Sequence, residues 1–212
     1  MVRELIAPFG IITIILTMLL PLPGYILNVL LVINFAIALL LLVSSVYITE
    51  PLKFSVLPTL LLLTTLYRLA LNIATTRMIL STGHAGEVVA AFGKVVINGN
   101  LAVGFVIFLI ITLVQFVVVA KGAERVAEVS ARFALDAMPG KQMSIDADAR
   151  AGVMDVETAR KKRDELQAES RFYGSLDGAM KFVKGDSIAG LIITVINVLG
   201  GLTIGLISHE LP

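Results

Sequence analysis

An aspartate stands directly in front of the last apolar run of this chain, at Asp186, with Lys181 and Lys184 shortly before it. A carboxylate at the mouth of a membrane helix can take up and release a proton, with its pKa tuned by Lys181 and by desolvation. The alternative is a helix N-cap, because aspartate accepts hydrogen bonds from the free amides of a first helical turn. The two interpretations are compatible, since a cap changes its hydrogen bonds when it is protonated.

Two arginines, Arg68 and Arg77, lie within or at the end of another apolar run. An arginine at the bilayer centre costs roughly 2.5 to 3.5 kcal/mol on the translocon scale, so each should have a partner. Nine residues at 100° per residue place the two on opposite faces of a helix. Arg77 either snorkels to the outer interface or has a function, and Arg68 either has a function or pairs with a neighbouring subunit.

The composition around these residues is that of an integral membrane protein. Of the 212 residues, 57% are hydrophobic and 16% are charged, and the mean hydropathy is +0.92. The chain has no cysteine and only two isolated histidines, so we predict no disulfide, no metal and no cofactor. A net charge of +1 argues against nucleic acid as a partner and favours lipid and protein. No motif indicates an enzyme.

Five apolar stretches are long enough to cross a bilayer at about 20 residues each. They cover residues 5–22, 26–48, 54–80, 101–120 and 187–208. A weaker amphipathic piece at 81–100 should lie at the membrane interface. The sequence therefore predicts an all-α integral membrane protein with about five transmembrane helices.

The basic residues predict the orientation of these helices. Twelve of the 17 Lys and Arg lie between residues 121 and 184, and such an excess marks a cytoplasmic segment. We therefore divide the chain into four transmembrane helices (1–120), a small, mainly helical cytoplasmic insertion (121–186) and a fifth transmembrane helix (187–212). The amino terminus should be cytoplasmic.

The insertion should begin as a helical extension of the fourth transmembrane helix. Residues 138–140, Met-Pro-Gly, are expected to stop it, and a polar loop at 141–152 should follow. Asp155 is a plausible cap for a second helix at 157–171.

Four glycines suggest details of the approach to the fifth transmembrane helix and of the helix itself. Gly174 and Gly178 should interrupt the chain before that helix begins. Gly201 and Gly205 form a GxxxG pattern in an apolar helix, which is typical of a close contact with another helix.

Charges of both signs follow one another through the first half of the insertion. For any single residue the simplest explanation is a local ion pair on a solvated face, such as Glu128 with Arg132 four residues later. As a set they suit a ring in which each subunit pairs with the next. The predicted interface residues are Arg125, Glu128, Arg132, Asp136, Lys141, Asp146 and Asp148.

The stretch RVAEVSARFALDAMPGKQMSIDAD at 125–148 resembles the signature of the large export-gate subunit of type III secretion systems, the FHIPEP family, which is shared by flagella and injectisomes. Similar runs lie upstream at 65–80, 91–110 and 115–126, and downstream at 172–190. Small departures are Ala134, where a hydroxyl residue is common, and Ala149, where leucine is common.

This resemblance implies a subunit of a ninefold ring in the bacterial inner membrane that converts proton motive force into passage of unfolded proteins. In that family the residues matching Asp186 and Lys181 are implicated in proton coupling. It also implies other export-apparatus subunits as partners, and substrates and chaperones bound through a domain downstream of what looks like an amino-terminal fragment.

Residues 144, 175 and 180 look more like the injectisome branch than the flagellar branch. Two rival functions remain. One is a self-contained small ion channel or transporter that uses Arg68, Arg77 and Asp186 directly. The other is a purely structural scaffold ring.

Overall fold

The computed structural model describes residues 2–48, 51–97 and 101–209, and helices account for nearly all of them. No strand occurs within these ranges. A short 3-10 turn (Pro51–Phe54) lies between the second and third helices, and a π-helical segment (Gln115–Ala123) joins the fifth helix to the sixth without a break. In chain order the α-helices are α1 (Val2–Leu19), α2 (Gly24–Tyr47), α3 (Leu57–Thr82), α4 (Glu87–Ile97), α5 (Leu101–Val114), α6 (Glu124–Asp136), α7 (Met138–Arg150) and α8 (Val156–His209).

Four helical stretches are long and apolar enough to cross a membrane, and the apolar helix Pro8–Leu19 is shorter. The four are Gly24–Tyr47, Leu57–Thr82, Ala102–Arg150 and Val156–Ile204. Large apolar side chains on them face outward, with Leu40 67% and Leu113 65% exposed. Contiguous apolar surface of this kind marks contact with lipid or with other helices. The predicted class, an all-α membrane protein, is confirmed.

Helices α2 and α3 form an antiparallel pair. Gly24, at the start of α2, lies against Met78 near the end of α3. Further along α2, the carbonyl oxygen of Leu30 accepts a hydrogen bond of 2.9 Å from the Tyr67 hydroxyl. Leu27 and other apolar side chains of the two helices form one of the two buried clusters.

Helices α3 and α8 pack in parallel. Arg68 contacts Asp186, and about three to four turns later Leu80 lies against Gly200, so both helices advance in the same direction. Helix α5 runs the opposite way, because Phe105 shares a cavity with Gly201, whereas Gln115 shares another with Asp186. Alternating directions are what successive crossings of one membrane require.

The amphipathic piece at 81–100 contains the short helix α4. Its first turn is tied to α2, where the Asn28 side-chain oxygen accepts a hydrogen bond of 3.4 Å from the Val88 amide. Phe92 packs against Phe35 of α2, with ring centroids 6.3 Å apart.

The insertion is more regular than predicted. Helix α6 ends at Asp136 as expected, but Met138 starts a new helix with Pro139 in its first turn, where a missing amide hydrogen costs nothing. The polar loop predicted at 141–152 was therefore wrong over most of its length. The reason is packing: Met138 and Ile145 are buried against Leu166 of α8, and this apolar contact stabilises helix α7.

The turn between α7 and α8 follows the predicted chemistry. Gly152 adopts a φ of 73°, which glycine tolerates best, and lets the chain reverse. The carboxylate of Asp155 then accepts a hydrogen bond of 3.1 Å from the Thr158 amide, so the predicted cap is confirmed. Hydrogen bonds from the Thr158 side chain and backbone lower the pKa of Asp155.

Helix α8 is a single helix of 54 residues, which gives it a length of about 81 Å. The predicted interruption at Gly174 and Gly178 was wrong, because both glycines lie inside this helix. A glycine costs a helix roughly 1 kcal/mol, and the contacts of α8 with α3, α6 and α7 offset that cost.

The close helix contact in α8 is made by a different glycine from the one predicted. A Cβ on Gly200 would lie 2.6 Å from Leu80 Cδ2, whereas a Cβ on Gly201 would have no neighbour within 4 Å. Gly201 instead lines an apolar cavity between α4, α5 and α8. Gly205 lies outside the residues whose surroundings are described. Among the residues whose surroundings are described, Gly201 makes no close helix contact, and the predicted GxxxG contact stays a prediction.

We expect Gly200→Val to lower the free energy of unfolding by about 1 to 3 kcal/mol, because the new side chain must displace Leu80. The matched control is Gly201→Val, which carries the same change of helix propensity into open space. Denaturant unfolding of the purified protein in detergent measures both. Equal losses for the two variants would contradict the close contact of α3 with α8.

Candidate functional site

Asp186 lies in the middle of α8 and is paired with Arg68 of α3. Arg68 Nε donates a hydrogen bond of 2.8 Å to Asp186 Oδ2, and Arg68 Nη2 donates to the same oxygen. The Asp186 side chain is only 1% exposed, and that of Arg68 is 40% exposed. The partner that the apolar setting demands for Arg68 is therefore in the same chain, 118 residues away, and not in a neighbouring subunit.

The second carboxylate oxygen of this pair has no partner. Asp186 Oδ1 is buried and accepts no hydrogen bond from the part of the chain that the structure describes. It lies beside a cavity of about 380 Å³ between α3 and α8. Besides the ion pair, the polar lining of this cavity comes from Asn72, Thr75, Gln115, Thr194 and Asn197. A buried polar oxygen without a hydrogen bond is costly, so this one calls for a partner outside the described side chains.

The cap interpretation of Asp186 was wrong. Thirty residues of the same helix precede Asp186, so no free amide of a first turn is near it. An apolar run begins here, but the helix does not. The neighbouring Ser187, which is fully buried, also has a helical environment, and its hydroxyl donates to the Val183 carbonyl at 3.0 Å.

Lys181 does not pair with Asp186. Its ammonium group donates a hydrogen bond of 2.8 Å to Asp177 one turn earlier on α8. That hydrogen bond, together with the charge of Asp177, raises the pKa of Lys181 above its usual value. Arg68 takes the position beside Asp186 that the sequence analysis gave to Lys181.

Lys184 was not singled out as a site residue, although it lies two residues before Asp186. It forms an ion pair of 2.6 Å with Glu124, the first residue of α6. The contact fixes α6 to α8 immediately next to the Arg68–Asp186 pair. Only tertiary structure places these two charges together, because 60 residues separate them in the chain.

Arg77 serves a different part of the molecule. Its guanidinium donates hydrogen bonds of 3.0 and 2.8 Å to the carbonyl oxygens of Met18 and Leu19, at the end of α1. A cation is favourable there, because the last carbonyls of a helix lack partners and carry the negative end of the dipole. The predicted opposite faces of Arg68 and Arg77 are confirmed: one faces α8 and the other α1.

The charges of the insertion divide into two groups. Some form ion pairs within the chain: Arg125 with Glu128 at 3.0 Å, Lys141 with Glu169 at 3.0 Å, and Asp146 with Arg163 at 2.6 Å. The predicted pair of Glu128 with Arg132 is not among the described ion pairs. The interface role of these residues stays a prediction.

The second group is unpaired, with Arg132 and Asp136 exposed and Asp148 partly buried. Arg132 and Asp136 have no ion-pair partner within the described residues, and Asp148 has none through its side chain. Glu128, Arg132 and Asp136, three of the seven predicted interface residues, share a cleft of about 320 Å³ between α6 and α8 with Asp177 and Lys181. Within the described ranges, no cluster of three His, Asp or Glu side chains could hold a metal.

Fold and site together define an all-helical, multi-pass membrane protein whose third and last long helices are joined by a buried ion pair. Residues 14–212 match the model of the FHIPEP family, and the chain belongs to that family. The resemblance seen at 125–148 is thereby confirmed.

Three relatives are similar over most of this chain. Low calcium response locus protein D of Yersinia pestis is 59% identical over 209 residues, which are 99% of this chain and 30% of that protein. Secretion system apparatus protein SsaV of Salmonella typhimurium is 56% identical over 197 residues, 93% of this chain and 29% of that protein. Invasion protein InvA of the same species is 56% identical over 189 residues, 89% of this chain and 28% of that protein. The chain thus spans less than a third of each relative. No solved structure gives a significant match.

The ion pair makes a prediction about stability. We expect Arg68→Leu to lower the free energy of unfolding by about 3 kcal/mol, at the low end for a buried pair because Arg68 is partly exposed. Replacing both partners, Arg68→Leu with Asp186→Leu, removes the uncompensated charge and should recover most of the loss. Unfolding in detergent measures both variants. A double variant as unstable as the single one would show that the lost stability does not come from an isolated carboxylate.

Proposed function

We propose that this chain is the membrane part of an export gate in a type III protein secretion apparatus, and that Asp186 couples export to the proton motive force. Family membership supports the first half, as do relatives named for secretion and invasion. The second half is supported by one observation: a buried carboxylate with one oxygen on Arg68 and the other free beside a cavity.

The chemistry proposed for the site is a reversible change of charge. An ionised Asp186 attracts Arg68 and holds α3 against α8. Protonation at Oδ1 removes the charge, weakens the pair and leaves Arg68 without a counter-ion in a place where that is costly. The contact between α3 and α8 is therefore strong when Asp186 is ionised and weak when it is protonated.

Helix α8 would carry that alternation to the insertion. It is continuous from Asp186 back to Val156, with no break at its glycines. Ion pairs at Lys184 and Glu169 tie it to α6 and α7 along the way. A change at the membrane site thus reaches the surface that carries the family signature.

The proposed location is the bacterial inner membrane, with the amino terminus and the insertion in the cytoplasm. The excess of basic residues at 121–184 supports this orientation. The alternating helix directions are compatible with it, because α3 and α8 run the same way.

The proposed assembly is a ring of identical subunits, ninefold by the resemblance. Arg132 and Asp136 of α6 offer unpaired charges of opposite sign, and Val126 and Phe133 beside them are 67% and 72% exposed. An apolar patch with complementary charges suits contact with a second copy. Other membrane subunits of the apparatus are further proposed partners. Substrates and chaperones would bind parts of the full-length protein outside this chain.

The two rival functions are less well supported. A self-contained channel that uses Arg68, Arg77 and Asp186 along one path does not fit, because Arg77 is engaged with α1 on the opposite face of α3. A passive scaffold gives no reason to bury a carboxylate with an unpartnered oxygen. The injectisome branch remains our proposal over the flagellar branch, and the names of the relatives support it.

In the full-length protein we expect Asp186→Asn to abolish secretion, because asparagine has the same shape but cannot gain and lose a proton. Asp186→Glu should retain part of it. A secretion assay with membrane potential and pH gradient controlled separately measures both. Asp164→Asn is the matched control, since it removes an exposed carboxylate from the same helix far from the site. Secretion at the wild-type rate by Asp186→Asn would refute proton coupling at this residue.

Because Asp186→Asn also leaves Arg68 without a counter-ion, membrane insertion and oligomer mass must be measured for the same variant. A variant that assembles normally and fails to secrete locates the defect in coupling. A variant that fails to assemble assigns Asp186 a structural role and counts against the proposal.

The ring makes a separate prediction. Arg132→Glu places like charges on both sides of the proposed interface and should shift the purified protein to smaller oligomers, more so at low salt. Arg160→Glu is the control, because it makes the same charge change on an exposed position of α8 outside the charged set. Native mass measurement at two salt concentrations compares them. An unchanged oligomer mass for Arg132→Glu places the interface elsewhere.

A further inference from the structure

The polar contact between α3 and α8 continues well beyond the ion pair. On α3 the polar residues that line the cavity after Arg68 are Asn72 and Thr75, and on α8 those after Asp186 are Thr194 and Asn197. Ile79, Gly190 and Ile193 of the same helices complete this part of the lining. The spacing of the polar residues, four, seven, eight and eleven residues, keeps them on the facing sides of two parallel helices. We call these four residues the polar strip.

Asn197 marks the far end of this strip. It lies eleven residues beyond Asp186, which corresponds to about 16 Å along the helix. Its side-chain oxygen Oδ1 is buried and has no hydrogen-bond partner, as is also true of Asp186 Oδ1. A buried amide oxygen without a partner is costly in an apolar stretch. Both ends of one cavity therefore present an unsatisfied oxygen.

The threonines between these ends add acceptors. The Thr75 hydroxyl donates its hydrogen to the Leu71 carbonyl at 2.7 Å, and Thr194 donates to the Gly190 carbonyl at 2.8 Å. Each hydroxyl oxygen keeps lone pairs that can accept a hydrogen bond, and both threonines line the cavity. Water is the small molecule that supplies hydrogens to such a lining, and about 380 Å³ has room for several molecules.

We propose that the polar strip is a water-filled route that leads to Asp186 from the membrane side on which α3 and α8 end, with Asn197 as a positioning residue at its far end. Leu80 closes the gap to Gly200 beyond Asn197, so the route enters beside Val89 of α4, which also lines the cavity. The opposite direction is obstructed by the Lys184–Glu124 ion pair, two residues before Asp186. The route thus gives the carboxylate access to one side only. This inference deepens the proposed function, because water is the medium through which protons would reach Asp186.

Cysteine labelling tests the route in the intact, full-length protein, whose described part has no native cysteine. Thr194→Cys faces the strip, and the adjacent Val195→Cys, 56% exposed on the outer surface of α8, faces lipid at the same depth. A thiol reacts as its thiolate, which forms in water and not in lipid. We expect a small cationic methanethiosulfonate, added from the outer side, to label Thr194→Cys at least about tenfold faster than Val195→Cys.

Two exposed positions serve as references for sidedness. His84→Cys should be labelled from the outer side, and Val153→Cys, at a residue 79% exposed, only from the cytoplasmic side. Labelling of Thr194→Cys no faster than Val195→Cys from either side would overturn the route. Labelling only from the cytoplasmic side would overturn its direction.

A second pair of variants tests Asn197 itself. Asn197→Leu should slow both the labelling of Thr194→Cys and secretion. Asn197→Ser keeps a polar side chain at this position, so both rates should stay near those of the protein with Asn197. Unchanged labelling in Asn197→Leu would overturn its positioning role. Labelling does not depend on secretion, so the two proposals can fail separately. Fast labelling of Thr194→Cys together with normal secretion by Asp186→Asn would support the route and refute proton coupling. Slow labelling of Thr194→Cys together with lost secretion by Asp186→Asn would refute the route and support proton coupling.

Discussion

The need to bury one carboxylate without leaving it uncompensated governs the arrangement of the helices. Asp186 is almost fully enclosed, so its charge requires a cation at contact distance, and Arg68 supplies it from the middle of α3. That requirement fixes the register and the parallel direction of α3 and α8. Leu80 can then approach Gly200 closely, because the smallest side chain faces it. The cavity between the helices follows from the polar residues that this register brings together.

The sequence predicted the individual helices better than the contacts between them. Apolar length gave the membrane helices, and the angle of 100° per residue correctly separated Arg68 from Arg77. The partner of Asp186 could not be found in this way. A lysine five residues away looked like the natural counter-ion, whereas the real one lies 118 residues earlier and depends on how two distant helices pack.

Two errors had a common physical cause. The start of an apolar run was taken for the start of a helix at Asp186, and polar residues after Gly140 were taken for a loop. Polarity reports where a segment meets water, not whether it is helical. The segment after Gly140 is helical because Met138 and Ile145 are buried against α8. Asp186 is helical because α8 continues through it without a break. The π-helical segment at Gln115–Ala123 contains no proline that would indicate an irregular helix, and the sequence analysis did not predict it.

The length of α8 has a mechanical consequence. About 45 Å of straight helix separate Asp186 from Val156, more than the roughly 30 Å of a bilayer's hydrocarbon core. A helix of this length that tilts as one rigid body about the ion pair would act as a lever. A tilt of about 5° at the ion pair moves the far end by about 4 Å, which is somewhat less than the rise of about 5.4 Å of one helical turn. Displacements of α3 against α8 too small to disturb the membrane part are therefore magnified at the edge of the insertion.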